Sequence, residues 1–303
     1  MPALFRAIFR PGFSGTLLAL TLIAGDALAQ DALAARFAKA GRIVLGTRDA
    51  AAPVAYLDDQ GGHIGYHMDV CQHVVEVLKA QLGLPQLRVV TVPTNLATRF
   101  ALLNNRTIDI DCGDNPIKPS SLSQALFSHA TLLPELGLMI RADTAVTMDN
   151  LNGKSIGLET GSSAALRLRT LGRLKSATIK QVLFRSTAEA FAQLTEGSID
   201  AVAAPIANLI GLRQLSGAPA RFRLLEPVLL REPVGLMFRL EDEELHALAN
   251  DTLSQLMKSG EMARLYDRWF TRAIPGLNAA LGLPMPAALR ELFNTPGSEI
   301  TED

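Results

Sequence analysis

Apolar positions along this chain recur with two alternating periods. Ile108, Ile110 and Cys112 return every second residue, the spacing of one face of a short strand. Met68, Val75, Leu78 and Leu82 return at helical spacing across Tyr66 to Leu82, and Gly83-Leu-Pro85 closes that helix. The same reading predicts a short amphipathic helix over Ala32 to Ala40, stopped by Gly41, and then a buried strand from Ile43 to Arg48. Pro53 to Tyr56 is expected as a loop or short extended piece. Leu87 to Val92 is strand, Thr94 to Leu103 helix, Ile108 to Cys112 strand, and Ser120 to Leu126 a short helical piece. Strand and helix alternate, so the fold class is α/β, with a largely parallel sheet and right-handed crossovers. Gly113, Asp114 and Asn115 are expected just past the end of the third strand. Ligands collect there in open α/β sheets, and these three residues offer a small polar cup, not a catalytic set.

After a mixed apolar run from Thr131 to Arg141 and a polar connection, a second unit begins at Asn150 to Leu158 and resumes the alternation. Helix is predicted over Ala164 to Leu171, Thr187 to Leu194 and Ile206 to Leu215. Strand is predicted over Ile179 to Leu183, Ile199 to Ala204, Phe222 to Leu225 and Pro233 to Phe238. The last section is helical from Glu241 to Lys258, with acidic residues in its first turn and Lys258 in its last. Beyond Gly260, Met262, Leu265, Tyr266 and Trp269 form a stripe that assigns Trp269 to the core.

Composition narrows the function classes. With 29 basic and 30 acidic residues the formal charge is -1, so no overall positive field recruits nucleic acid or anionic lipid. An aromatic content of 5% also disfavours base stacking. Arg6 and Arg10, an apolar run from Phe13 to Ala24, and small residues at Ala27 and Ala29 read as a signal peptide over residues 1–29. The run is shorter than the roughly 20 residues a membrane anchor needs. Export permits a disulfide, but the apolar flanks of Cys71 and Cys112 favour two buried free thiols, with a bond as the alternative. His63 and His67 stand four apart, although Gly65 between them weakens a helical metal pair. No cofactor motif and no hydrolytic triad emerges; the Gly161 turn has neither the spaced glycines of a dinucleotide site nor a P-loop lysine.

Candidate binding residues lie at strand ends. Arg48, at the carboxyl end of its strand, can grip a carboxylate with two parallel bonds or stand as a surface cation. Arg99, near the start of a helix, is a second candidate anion contact, and Tyr56 a candidate pocket wall. Thr160, Ser162 and Ser163 flank Gly161 before a helix. They can seat an anion beside free amides or simply cap that helix.

Several segments together resemble the periplasmic substrate-binding proteins of amino-acid ABC importers, family 3 type, nearest the glutamate/aspartate-binding branch. These are Arg42-Ile-Val-Leu-Gly-Thr-Arg48, Gly65-Tyr66 with Asp69, Arg99 to Asn105, Ile108 to Gly113, Ala125 to Ser128, Leu151 to Lys154, Gly161 to Ser163, Tyr266 to Phe270 and the tail Leu283 to Phe293. The resemblance implies a two-lobed type II periplasmic-binding-protein fold with two interlobe crossings. One lobe would span 30–138 plus 237–303 and the other 139–236, closing over a ligand by hinges near Leu138 to Arg141 and Val234 to Met237. It also implies that Arg48, Arg99, Thr160, Ser162 and Ser163 face the ligand.

The departures matter as much. Asp114 and Pro116 stand where the family has serine or threonine, and Ser121 where it has an arginine for the α-carboxylate. Pro205 replaces an aspartate for the α-ammonium, and Thr187 a histidine of the glutamate/aspartate branch. The expectation is therefore a small anionic ligand, an amino acid or related carboxylate, held by a monomer that serves an inner-membrane ABC permease. Asp114 offers an amine a different direction of approach. A non-transport role beside a sensor or a periplasmic dehydrogenase system is the alternative, and an enzyme is disfavoured.

Overall fold

The structure is a computed structural model that describes residues 32–277 and 279–297. The signal segment read from residues 1–29 lies outside them. Helix α1 (residues 32–40) leads into a five-stranded sheet. In that sheet β1 (Arg42–Thr47) pairs in parallel with both β5 (Arg88–Pro93) and β6 (Ile110–Pro116). Two antiparallel strands complete it, β13 (Val234–Phe238) against β6 and β7 (Leu126–Phe127) against β13. A small three-stranded sheet, β2 (Ala50–Ala51), β3 (Ala55–Leu57) and β4 (His63–Ile64), follows β1. Helices α2 (Tyr66–Gln81) and α3 (Arg99–Asn104) connect the parallel strands.

The second five-stranded sheet repeats the plan. Strand β9 (Ser155–Glu159) pairs in parallel with β10 (Lys180–Phe184) and β11 (Ala201–Pro205). Antiparallel β8 (Glu135–Arg141) and β12 (Phe222–Arg231) extend it beyond β11. Helices α4 (Ala164–Leu174), α5 (Thr187–Glu196) and α6 (Ile206–Leu215) link these strands. The chain passes from the first sheet to the second between Phe127 and Glu135 and returns between Arg231 and Val234. Helices α7 (Glu243–Lys258) and α8 (Glu261–Tyr266), a π-helical turn (Asp267–Thr271) and α9 (Ala287–Asn294) then pack back on α2 and the first sheet.

The order of elements follows the alternation of periods, with three differences. Both sheets are mixed, because an apolar run such as Leu136 to Ile140, buried on both faces, does not encode strand direction. Residues 120–126 hold only a 3₁₀ turn (Pro119–Ser121) before β7, since Pro119 and the extended segment after it leave no room for a helix. Gly113, Asp114 and Asn115 lie inside β6, not past its end. The register Pro116 to Val234 and Asn115 to Gly235 extends the strand against its antiparallel neighbour.

Cys71 of α2 and Cys112 of β6 form a disulfide, which corrects the expectation of free thiols. Their apolar surroundings are real, both residues being fully buried, but helix and strand bring the two sulfurs together. Trp269 is buried as expected, and its indole N–H donates to Asp69 Oδ2 at 2.7 Å. Among the described residues no helix is long and apolar enough to cross a membrane.

Candidate functional site

A cleft of about 290 Å³ lies between the two sheets. The ends of β1, β5 and β6 supply Arg48, Thr94 and Asp114 from one side. The ends of β9, β10 and β11 supply Glu159, Ser186 and Pro205 from the other, with Glu232 at the return crossing. Parallel strands ending at one edge of each sheet leave their carboxyl termini facing this gap, as in other open α/β sheets.

Arg48 is 5% exposed, and its guanidinium is held by the protein itself. Nε donates to Asp114 Oδ1 at 3.0 Å, Nη2 to Asn115 Oδ1 at 3.3 Å, and Nη1 to Thr94 Oγ1, with Asp111 Oδ2 3.7 Å from Nη1. Burial opposes the Arg48 charge, but Asp111 and Asp114 outweigh it and raise the guanidinium pKa. Burial likewise opposes ionisation of Asp111. Arg48, the Gly113 N–H and Asn115 outweigh it and lower the carboxyl below its ordinary value. A Cβ on Gly113 would fall 2.6 Å from Arg48 Cζ, so this glycine is the space the guanidinium occupies. The Gly113 carbonyl in turn accepts from His67 Nδ1 at 2.8 Å, and Nε2 lies 2.7 Å from Thr131 Oγ1. Burial pushes the His67 pKa down to about 4, so the ring is neutral at pH 7.

Arg99, at the first position of α3, is 2% exposed and stands behind Asn115, donating from Nη1 to Asn115 Oδ1 at 3.1 Å. It lies beneath the cleft wall and not on it. Burial and then the neighbouring Arg48 lower its pKa. Asn115 is therefore a bridge between two arginines, fully buried, and Gly113 acts through its backbone.

Tyr56 also lies off the cleft. Its hydroxyl donates to the Pro275 carbonyl at 2.8 Å and its ring meets Trp269 edge to face, which corrects its placement as a pocket wall. Thr160 is exposed and donates to the Phe184 carbonyl at 3.0 Å, outside the cleft lining. Ser162, Ser163 and Thr187 do line it. Ser162 Oγ accepts from the Ala164 N–H at 3.2 Å, one residue before the N-cap Ser163, whose Oγ makes no capping bond and donates to Glu232 Oε2. Pro205 and Thr187 line the far wall, and Ser121 is buried in its 3₁₀ turn away from it.

The carboxylates Glu159 and Glu232 escaped the sequence reading. Glu159 ends β9 immediately before the turn that was singled out, so the strand-end rule reaches it. Glu232 sits in a two-residue crossing that carries no pattern. Burial raises both carboxyl pKa values, and Asp114 adds to the rise at each. Glu159 Oε1 accepts from the Leu96 N–H at 3.1 Å, and Asn208 Nδ2 donates to the Ala50 carbonyl at 3.2 Å. Both bonds span the gap, so the two sides of the cleft are in contact. His63 pairs with Asp49 and Thr91, and among the described residues no His, Cys, Asp or Glu cluster could hold a metal ion.

Two mixed sheets of matching strand order, joined by two crossings and facing each other across a polar cleft, define the type II periplasmic-binding-protein fold. A family model described as bacterial extracellular solute-binding proteins, family 3, matches residues 43–272, and the chain belongs to that family. It is 28% identical over 290 residues to the "Glutamate/aspartate import solute-binding protein" of Escherichia coli (strain K12), covering 93% of this chain and 96% of that one. To the "L-glutamate/L-aspartate-binding protein" of Pseudomonas aeruginosa it is 27% identical, covering 96% and 98%. A solved structure, "An ancestral arginine-binding protein bound to glutamine", matches with a TM-score of 0.68 at 21% identity, over 76% of this chain and 98% of that one.

Proposed function

We propose that this protein is the periplasmic receptor of an amino-acid-type ABC importer. In this reading it acts by binding alone, as a monomer, and presents its closed form to an inner-membrane permease. Its lobes divide at the two passes between the sheets, so the hinges are residues 128–134 and 232–233, somewhat earlier in the chain than the resemblance implied. Hinge closure of lobes around a small solute is a common device for such receptors. The relatives named for glutamate and aspartate support an amino-acid class of solute.

The solute, on this reading, carries an ammonium group. The observation behind it is the charge around the cleft. Arg48 has each of its guanidinium nitrogens bonded to the protein, and Arg99 is buried behind Asn115. Asp111 and Asp114 balance those two cations. Glu159 and Glu232 then remain, with Lys118 beside Glu232 and the exposed Arg185 on the rim. A further anion would add to carboxylates that burial already disfavours, whereas a cation relieves them. An anion gripped by Arg48 would first have to displace Asp114.

A thermal-shift screen of the mature protein against amino acids, amines and dicarboxylates, followed by calorimetry, tests this. Amine-bearing solutes should shift the melting temperature and bind one to one, and Asp114→Asn should weaken them at least roughly tenfold, the loss of one charge-assisted contact. Binding of dicarboxylates alone, strengthened by Asp114→Asn through a freed Arg48, would instead restore the anionic reading.

A further inference from the structure

A second cavity, of about 160 Å³, opens beside the cleft. The two share Ala51, Asp114, Pro134, Pro205, Asn208 and Val234, so they meet across one wall. Beyond that wall the surroundings change character. Leu133 at the first crossing, Ile206 and Ala207 at the start of α6, Phe270, Leu283 and Leu289 present carbon to the cavity. Tyr266 also lines it, with its hydroxyl turned to the Pro284 carbonyl at 3.5 Å, and Glu135 is the acid it does not share with the cleft. A polar cleft and an adjacent apolar recess that both border Asp114 suit a ligand with one polar and one apolar end.

We infer that this recess is a specificity subsite for an apolar arm of the solute, an aromatic ring or branched aliphatic chain. Asp114 faces both spaces, so a head group held there directs its substituent past Pro205 and Val234 into the recess. Pro205 serves this arrangement, because it sets an apolar surface without a backbone donor at the junction. The recess is walled by both lobes and by the C-terminal segment at Leu283 to Leu289, so an occupant bridges the lobes as they close. The inference rests on the cleft being the solute site, while the nature of the head group is a separate matter.

Three matched probe pairs, each differing by a phenyl ring, test it by calorimetry: ethylamine and 2-phenylethylamine, acetate and phenylacetate, L-alanine and L-phenylalanine. In the unaltered protein the ring should tighten binding at least roughly tenfold in the pair whose head the cleft accepts, the effect of burying an aromatic face. Ala207→Phe fills the recess without touching the cleft lining and should reduce that gain below about threefold, leaving the ring-free partner unchanged. Leu283→Trp, which fills it from the tail, should do the same and serves if the first variant folds poorly. A ring gain confined to the acid pair keeps the subsite and rejects the ammonium head. Binding of the amine or amino-acid pair with no ring gain keeps the head and rejects the subsite. A ring gain that survives both filling variants, or no binding of any phenyl compound, overturns the inference.

Discussion

Arg48 is legible in the sequence as a strand-end cation, but its partners are not. The pattern shows an arginine poised over a cleft, whereas the fold spends its donors on Thr94, Asp114 and Asn115. Arg48 and these partners lie on or just past three separate strands, β1, β5 and β6, and no spacing in the chain announces their meeting. His67 carries the same lesson. Its place on α2 is clear from periodicity, yet its bonds to Gly113 and Thr131 depend on how that helix crosses β6. Because burial lowers its pKa from 6.5 to about 4, the folded state excludes the imidazolium. The stability this confers is full above pH 6.5 and is lost as pH falls towards 4. Between pH 7.5 and 4.5 it amounts to roughly 2–3 kcal/mol. Glu159 and Glu232, whose raised pKa values favour the folded state on acidification, oppose that trend in the wild type and in any His67 variant alike. Denaturant unfolding at the two pH values, followed through the single Trp269, should show the wild type losing that much more stability than His67→Gln. Equal losses would mean the ring is not held neutral.

At the scale of elements, helix and strand positions followed from hydrophobic period, and their directions did not. Strands β8 and β13 run antiparallel to β11 and β6 because each follows a crossing and enters its sheet from the other. The disulfide between α2 and β6 belongs to this scale too. Apolar flanks describe the burial of a cysteine but not which sulfur it meets, so only the packing of helix on strand decides the bond. It closes a loop with a sequence separation of 41, long enough for a stabilisation of about 2–4 kcal/mol. A Cys71→Ala, Cys112→Ala double variant should lose about that much in denaturant unfolding, and dithiothreitol should reproduce the loss in the wild type only. No effect of the reductant would count against the bond.

At the scale of the molecule, the two-sheet plan was legible through the family's recurring segments, while the site's electrostatic character was not. The departures at Asp114, Pro205 and Thr187 flagged an altered pocket, and all three do line the cleft. Their meaning changed once Glu159 and Glu232 were found facing them. The interlobe bonds Glu159 to Leu96 and Asn208 to Ala50 are the contacts that opening at the hinges would break. Solution X-ray scattering should therefore show a smaller radius of gyration with a bound solute than without one. Asn208→Ala, which removes one latch, should shift the solute-bound sample towards the larger value. Identical scattering with and without solute would leave the lobes fixed.

The sign of the charge the cleft accepts can be read directly from protons. Glu159 and Glu232 hold theirs to higher pH than ordinary carboxyls, and an ammonium placed among them must lower those values. Calorimetry of the tightest solute from the screen, at mildly acidic pH in two buffers of different ionisation enthalpy, counts the protons exchanged on binding. Net release of protons is the predicted result; net uptake, as an entering anion would cause, would contradict the ammonium-binding account.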